Sequence, residues 1–117
     1  MKPASLQITH EQKQPGVAVI ALAGKVMLGA GTAAIEELIT DRLAQGDRRI
    51  VIDLSGVTHI DSTGIGTLIA SLGKVMQSGG SLAITGASGV VREGFRVTRL
   101  DSVFRFFPDV DSAVRGS

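Results

Sequence analysis

The run Ile50-Val51-Ile52-Asp53-Leu54 constrains this chain more than any other stretch. Its β-branched, aliphatic composition is that of a strand covered on both faces, and such strands lie in the middle of a sheet. A helical pattern stands on either side of it. After Thr32, placed as an N-cap, Ile35, Leu38, Ile39 and Leu43 fall on one stripe while Glu36, Glu37, Asp41 and Arg42 face away, and Gly46 closes the segment. Downstream, Ile65, Leu68, Ile69, Leu72, Val75 and Met76 keep the same 3.6-residue period up to Gly79-Gly80. A buried strand between two amphipathic helices requires a layered α/β architecture with a mostly parallel sheet.

The remaining segments extend that pattern. Residues 5–10 alternate, with Leu6 and Ile8 on one face, and Pro15-Gly16 separates them from an apolar strand over residues 17–22, so the two form a hairpin. Residues 55–61 read as a connector, 81–85 as a strand, 91–98 as a short helix and 103–107 as a last strand. Pro108-Asp109 then opens a terminal helix with Val110, Ala113 and Val114 turned inward. The expectation is a single α/β domain over residues 1–117, a mixed, mostly parallel sheet of about five strands with about four helices. In such sheets the working loops lie beyond the carboxyl ends of the strands, which singles out residues 24–32, 55–66 and 86–90. About half of the fifteen glycines fall in these loops.

Composition removes whole classes of chemistry. With no Cys and two His, a disulfide scaffold, a thiolate zinc site, a cysteine nucleophile or a histidine-rich metal centre is not expected, and no cofactor is implied. A net charge of +1 and aromatic residues that are all Phe argue against a nucleic-acid partner. No apolar run reaches the ~20 residues that span a bilayer, and no signal-peptide core opens the chain, so a soluble, cytoplasmic protein without membrane insertion is expected.

The segment from Val51 to Gly66 joins the buried strand to the most regular helix and concentrates small polar residues, with Asp61, Ser62, Thr63 and Gly64 at its centre. A Ser at the first turn of a helix ordinarily accepts a hydrogen bond from an orphan backbone N–H. The same place suits a phosphate, because free N–H groups and the positive end of the helix dipole stabilise an added anion.

This stretch resembles the signature of STAS domains, and especially of bacterial anti-sigma-factor antagonists. In these a strand ends in Asp-Leu-Ser-x-Val, and Asp-Ser-Ser/Thr-Gly-Leu/Ile-Gly opens the next helix. The likeness extends along the chain through Gly24, the Gly-Asp before the third strand, Gly79-Gly80 and Thr98-x-Leu100-Asp101-x-Val103-Phe104. It implies that Ser62 is phosphorylated by an anti-sigma factor that is also a serine kinase. It further implies that Asp61 helps to position the hydroxyl, that Thr63 and Gly64 complete the turn, and that a serine phosphatase restores the unmodified form. The unphosphorylated protein would bind the anti-sigma factor and free the sigma factor. No catalytic residue of its own is implied, and the unbound protein is expected to be a monomer. The partner-binding residues expected on this reading are Asp61, Ser62, Thr63, Gly64, Ile65, Met27, Leu28 and Ser88. The loop Lys25-Val26-Met27-Leu28-Gly29 departs from the family, where many members carry an acidic residue; Met27 and Leu28 form an adaptable patch there, or simply cover the sheet's edge or continue the second strand.

Other readings of the same residues are weaker. A STAS subunit or regulator of a membrane transporter keeps the fold and changes the setting. A small hydrolase would need Ser62, His59 and Asp61 as a triad, although residues so close on one turn seldom reach that geometry and no Gly-x-Ser-x-Gly elbow is present. Thr63 interrupts the Asp-Thr/Ser-Gly of an aspartic protease. Ile69 stands where a dinucleotide fingerprint needs its third small residue, and Gly86-Ala87-Ser88-Gly89 lacks the Gly-Lys end of a P-loop. Arg92, Arg96 and Arg99 form a basic row, read as a solvated helix face or a peripheral electrostatic contact.

Overall fold

The computed structural model describes residues 6–29 and 31–116. Its elements are β1 (Leu6–Gln14), β2 (Val17–Val26), α1 (Ala33–Ala44), β3 (Arg49–Ile60), α2 (Ser62–Gln77), β4 (Ser81–Thr85), α3 (Gly89–Val97), β5 (Arg105–Phe107) and α4 (Val110–Gly116). The strands form one five-stranded sheet in the order β1-β2-β3-β4-β5. β1 is antiparallel to β2, as the hairpin requires, and every later pairing is parallel. The expected mixed, mostly parallel sheet with four helices is therefore the one observed. The alternation expected in the first strand is also present from Leu6 onward; Ser5 lies outside the described residues.

The central run is buried on both sides for a simple reason of period. Ile50, Ile52 and Leu54 join Ile20, Leu22, Leu82 and Ile84 in one core, against Ile35 and Ile39 of α1, Leu68 and Val75 of α2, and Val91 and Phe95 of α3. Val51 points the opposite way and packs with Val19, Ala83 and Ala113 under α4, flanked by Val110 and Val114. Three helices thus cover one face of the sheet and the last helix part of the other.

Five sequence expectations need correction. The connector over residues 55–61 is strand as far as Ile60, and β2 continues through Val26, so residues 24–26 are not loop. Both strands outrun β4, so the end of β3 pairs with β2 alone, Ala23 opposite Gly56 and Val26 opposite Ile60, with register shifts on the way, while β2 stays paired with β1 as far as Gly24. At the end of β3, residues with a strand neighbour on one side alone keep a polar, glycine-containing composition that reads as loop; in β2, Gly24 supplies the positive φ of 93° beside the second shift. Thr32 stands at the N-cap of α1 but is itself in a helical conformation and its side chain makes no capping bond. Ile69 and Met76 share the period of α2 yet are exposed, because Thr67 and Ser71 take the inward positions and bond the carbonyls of Thr63 and Thr67 on their own helix. The last strand is only three residues long, and Val103 lies exposed in the turn before it.

Candidate functional site

The parallel strands β2 and β3 end side by side, so the β2–α1 turn and the first turn of α2 meet at one end of the sheet. Asp61 is the joint between them. It adopts an extended conformation as the N-cap of α2, and its Oδ1 accepts the Gly64 backbone N–H at 2.8 Å. Its Oδ2 accepts the backbone N–H of Leu28 at 3.0 Å, thirty-three residues away in sequence. Its own N–H donates to the Val26 carbonyl at 3.3 Å. The Leu28 N–H first, and the Gly64 N–H second, hold the Asp61 carboxyl below the usual carboxylate range, so it is an anion at neutral pH.

Gly64 makes this closeness possible. A Cβ built on it would lie 2.0 Å from the Val26 carbonyl oxygen, so no larger residue fits between the helix and the end of β2 without moving backbone. Ile65, the next residue, donates its N–H to the Asp61 carbonyl and is only 7% exposed. Gly64 and Ile65 therefore shape the site from beneath and offer a partner no side chain. Thr63 is half-buried.

Ser62 is the first residue of the sixteen-residue helix and is exposed. The capping role that a serine in this turn usually fills belongs to Asp61. The Ser62 hydroxyl has no hydrogen-bond partner among the described residues, and both oxygens of Asp61 accept backbone N–H groups. Among the described residues no side chain is bonded to it as a base would be. The His59 ring lies 2.9 Å from the Thr58 hydroxyl on β3, Asp61 accepts the Leu28 and Gly64 N–H groups and Ser62 bonds neither residue, so the three form no relay. Among the described residues no group of three or more His, Cys, Asp or Glu is placed to hold a metal ion.

Around the hydroxyl, the β2–α1 turn presents Leu28 with 79% of its surface exposed, while Met27 beside it is half-buried. Neither residue continues the second strand, which stops at Val26. Ser88 is the exposed N-cap of α3; its side chain makes no capping bond, and its carbonyl takes the Val91 and Arg92 N–H groups. Val90, 67% exposed in the first turn of α3, escaped the sequence reading because a lone apolar residue beside a periodic segment gives no signal of its own. Two residues of the basic row are engaged: Arg92 stacks on Phe106 at 4.2 Å and Arg96 is bonded to Glu93.

Comparison with known proteins agrees with the fold. The STAS domain family model matches residues 10–113. The anti-sigma-F factor antagonist RsfB of Mycobacterium tuberculosis is 32% identical over 114 residues, covering 97% of this chain and 91% of that protein. Among solved structures, an anti-sigma factor antagonist from Mycobacterium paratuberculosis superposes with a TM-score of 0.81 at 27% identity, over 97% of this chain and 95% of the other. The unphosphorylated form of the anti-sigma factor antagonist SpoIIAA shares the fold at a TM-score of 0.78 and 20% identity, over 95% and 98% of the two chains. With a family model along most of its length and a relative of this identity along nearly all of it, the chain belongs to the STAS domain family.

Proposed function

We propose that this protein is an anti-sigma factor antagonist whose binding is switched by phosphorylation of Ser62. The observation that carries this reading is a serine hydroxyl left unspent: exposed, in the first turn of a long helix, with the capping work done by its neighbour Asp61. A helix cap would explain Ser62 without any regulation, but that role is filled. The relative RsfB, similar along nearly its whole length, is named an anti-sigma-F factor antagonist and supports the class of partner.

No side chain here activates the hydroxyl, so a phosphoryl group must come from an enzyme that brings its own base. That requirement fits an anti-sigma factor with serine kinase activity, and a serine phosphatase would reverse the change. Phosphorylation adds roughly −1.5 to −2 charges and three acceptor oxygens beside the fixed Asp61 anion. Buried against a partner, such a group costs several kcal/mol in desolvation and repulsion, enough to break a complex while the fold survives. On this reading the exposed contacts are Ser62, Leu28 and Ser88, with Met27, Asp61 and Thr63 partly accessible; the protein acts in the cytoplasm, as a monomer when unbound and without chemistry of its own.

The test is to incubate the protein with ATP and the serine-kinase-like anti-sigma factor encoded beside it, and to map the phosphate by mass spectrometry. Phosphate on Ser62 is expected. No transfer from any such kinase, together with copurification of a transporter ATPase, would move the chain to transporter regulation instead.

A further inference from the structure

We infer that the Asp61 carboxylate is a clasp through which the state of Ser62 is passed to the β2–α1 turn, so that modification alters the position of Leu28 as well as the charge beside it. The geometry divides one carboxylate between two segments: Oδ1 on the Gly64 N–H inside α2, Oδ2 on the Leu28 N–H of the turn. Nothing else among the described residues bonds the Leu28 N–H, and the Leu28 side chain is 79% exposed, so packing does little to fix Leu28 itself. The other contacts between these segments, the Asp61 N–H on the Val26 carbonyl and the seat of Gly64 against the same carbonyl, end at Val26. Beyond Val26, the turn is tied to α2 by the carboxylate.

Ser62 is the residue immediately after that carboxylate, and a phosphate on it is a second anion drawn to the same helix N-terminus. Two adjacent anions repel, and both compete for the Gly64 N–H, the donor that holds Asp61 in place. As the carboxylate turns away, its second oxygen leaves Leu28. Leu28 is then carried on an untethered turn, and the exposed apolar side chain loses its fixed place next to the modified hydroxyl. Asp61 is thus a positioning residue for the turn, acting through Leu28.

The clasp can be separated from the cap. Asp61→Asn keeps one carbonyl oxygen, which caps Gly64 as well as a carboxylate does, and replaces the second with an amide nitrogen that cannot accept from Leu28. Backbone amide exchange by NMR should show Leu28 exchanging about tenfold faster in Asp61→Asn, with Gly64 unchanged and the melting temperature nearly so. Asp61→Ala should release both amides. The second arm rests on the reading of Ser62 as the modified residue: with phosphoserine installed at position 62 by codon reassignment, Leu28 should again exchange several-fold faster than in the unmodified protein. Wild-type exchange at Leu28 in Asp61→Asn overturns the clasp. Fast exchange there with wild-type exchange in the phosphoserine protein overturns the coupling. Neither result depends on a kinase or a partner, so phosphate mapping and binding assays remain separate tests of the regulatory reading.

Discussion

Replacing Gly64 by Ala probes the contact on which the site is built. The added Cβ would sit 2.0 Å from the Val26 oxygen and 2.9 Å from the Val26 carbonyl carbon. Backbone atoms cannot rotate away, so the first turn of α2 and the end of β2 must part by about 1.4 Å to reach ordinary van der Waals contact. Overpacking of this kind costs about 1–3 kcal/mol. The same movement lengthens the 3.3 Å bond from Asp61 to Val26 beyond use and pulls on the Leu28 bond, adding about 1 kcal/mol. A total of about 3 kcal/mol lowers the melting temperature of a domain this size by roughly 10 °C. Gly66→Ala and Gly73→Ala in the same helix are the internal controls, because a Cβ at either place meets nothing within 4 Å. Removing glycine from an exposed helix interior should stabilise by about 0.5–1 kcal/mol at each. Urea and thermal unfolding followed by circular dichroism read all three. A Gly64→Ala protein as stable as the wild type, or a Gly66→Ala protein destabilised equally, would refute the close-contact argument.

Other consequences concern helix ends, acid sensitivity and the core. Helices α1, α2 and α3 finish in the same pattern of two backbone bonds, with Gly46 at φ 99°, Gly79 at φ 79° and, in the third, Arg99 at φ 61°. Arg99→Gly should therefore stabilise by about 1 kcal/mol in urea unfolding, and a loss of stability would show that the arginine side chain compensates for its strained backbone. Asp61 and Asp109 are both held below the usual 3.8, Asp61 by the Leu28 and Gly64 N–H groups and Asp109 by Ser112. The stability they supply is complete above the unfolded value and is lost as pH falls through their lower folded values. Urea midpoints for Asp61→Asn and Asp109→Asn should fall less steeply than the wild type below about pH 4, and identical slopes would remove these groups from the acid transition. Phe95, fully buried with its ring 5.6 Å from Phe104 and 5.3 Å from Phe106, should cost about 3–5 kcal/mol as Phe95→Ala, and a loss under 1 kcal/mol would mean the cluster collapses to fill the space.

Much of this architecture was legible because burial imposes a period. The run from Ile50 to Leu54, the strand Ser81–Thr85 and the inward stripe of α4 carry side-chain patterns that admit one reading. Where a segment has fewer neighbours the pattern fades. Ser55, Gly56, Thr58 and His59 are strand because β2 runs beside them, but nothing covers their exposed side chains and their composition says loop. The outward placement of Ile69 and Met76 was hidden for a different reason: Thr67 and Ser71 satisfy their hydroxyls on their own backbone, and such internal bonds leave no trace in a hydropathy pattern. At the site, the sequence identified Ser62, Asp61 and Leu28 separately. That Asp61 rather than Ser62 caps the helix, and that it reaches Leu28, depends on two strands ending together, which only the folded chain establishes.

The most direct measurement of the switch compares the affinity of two proteins for the anti-sigma factor: the unmodified chain and the same chain with phosphoserine at position 62, each with its unfolding curve recorded. Tight binding by the unmodified protein, loss of at least about a hundredfold on phosphorylation, and superimposable unfolding curves are the predicted result. Equal affinity of the two forms, or loss of binding accompanied by loss of the fold, would contradict it.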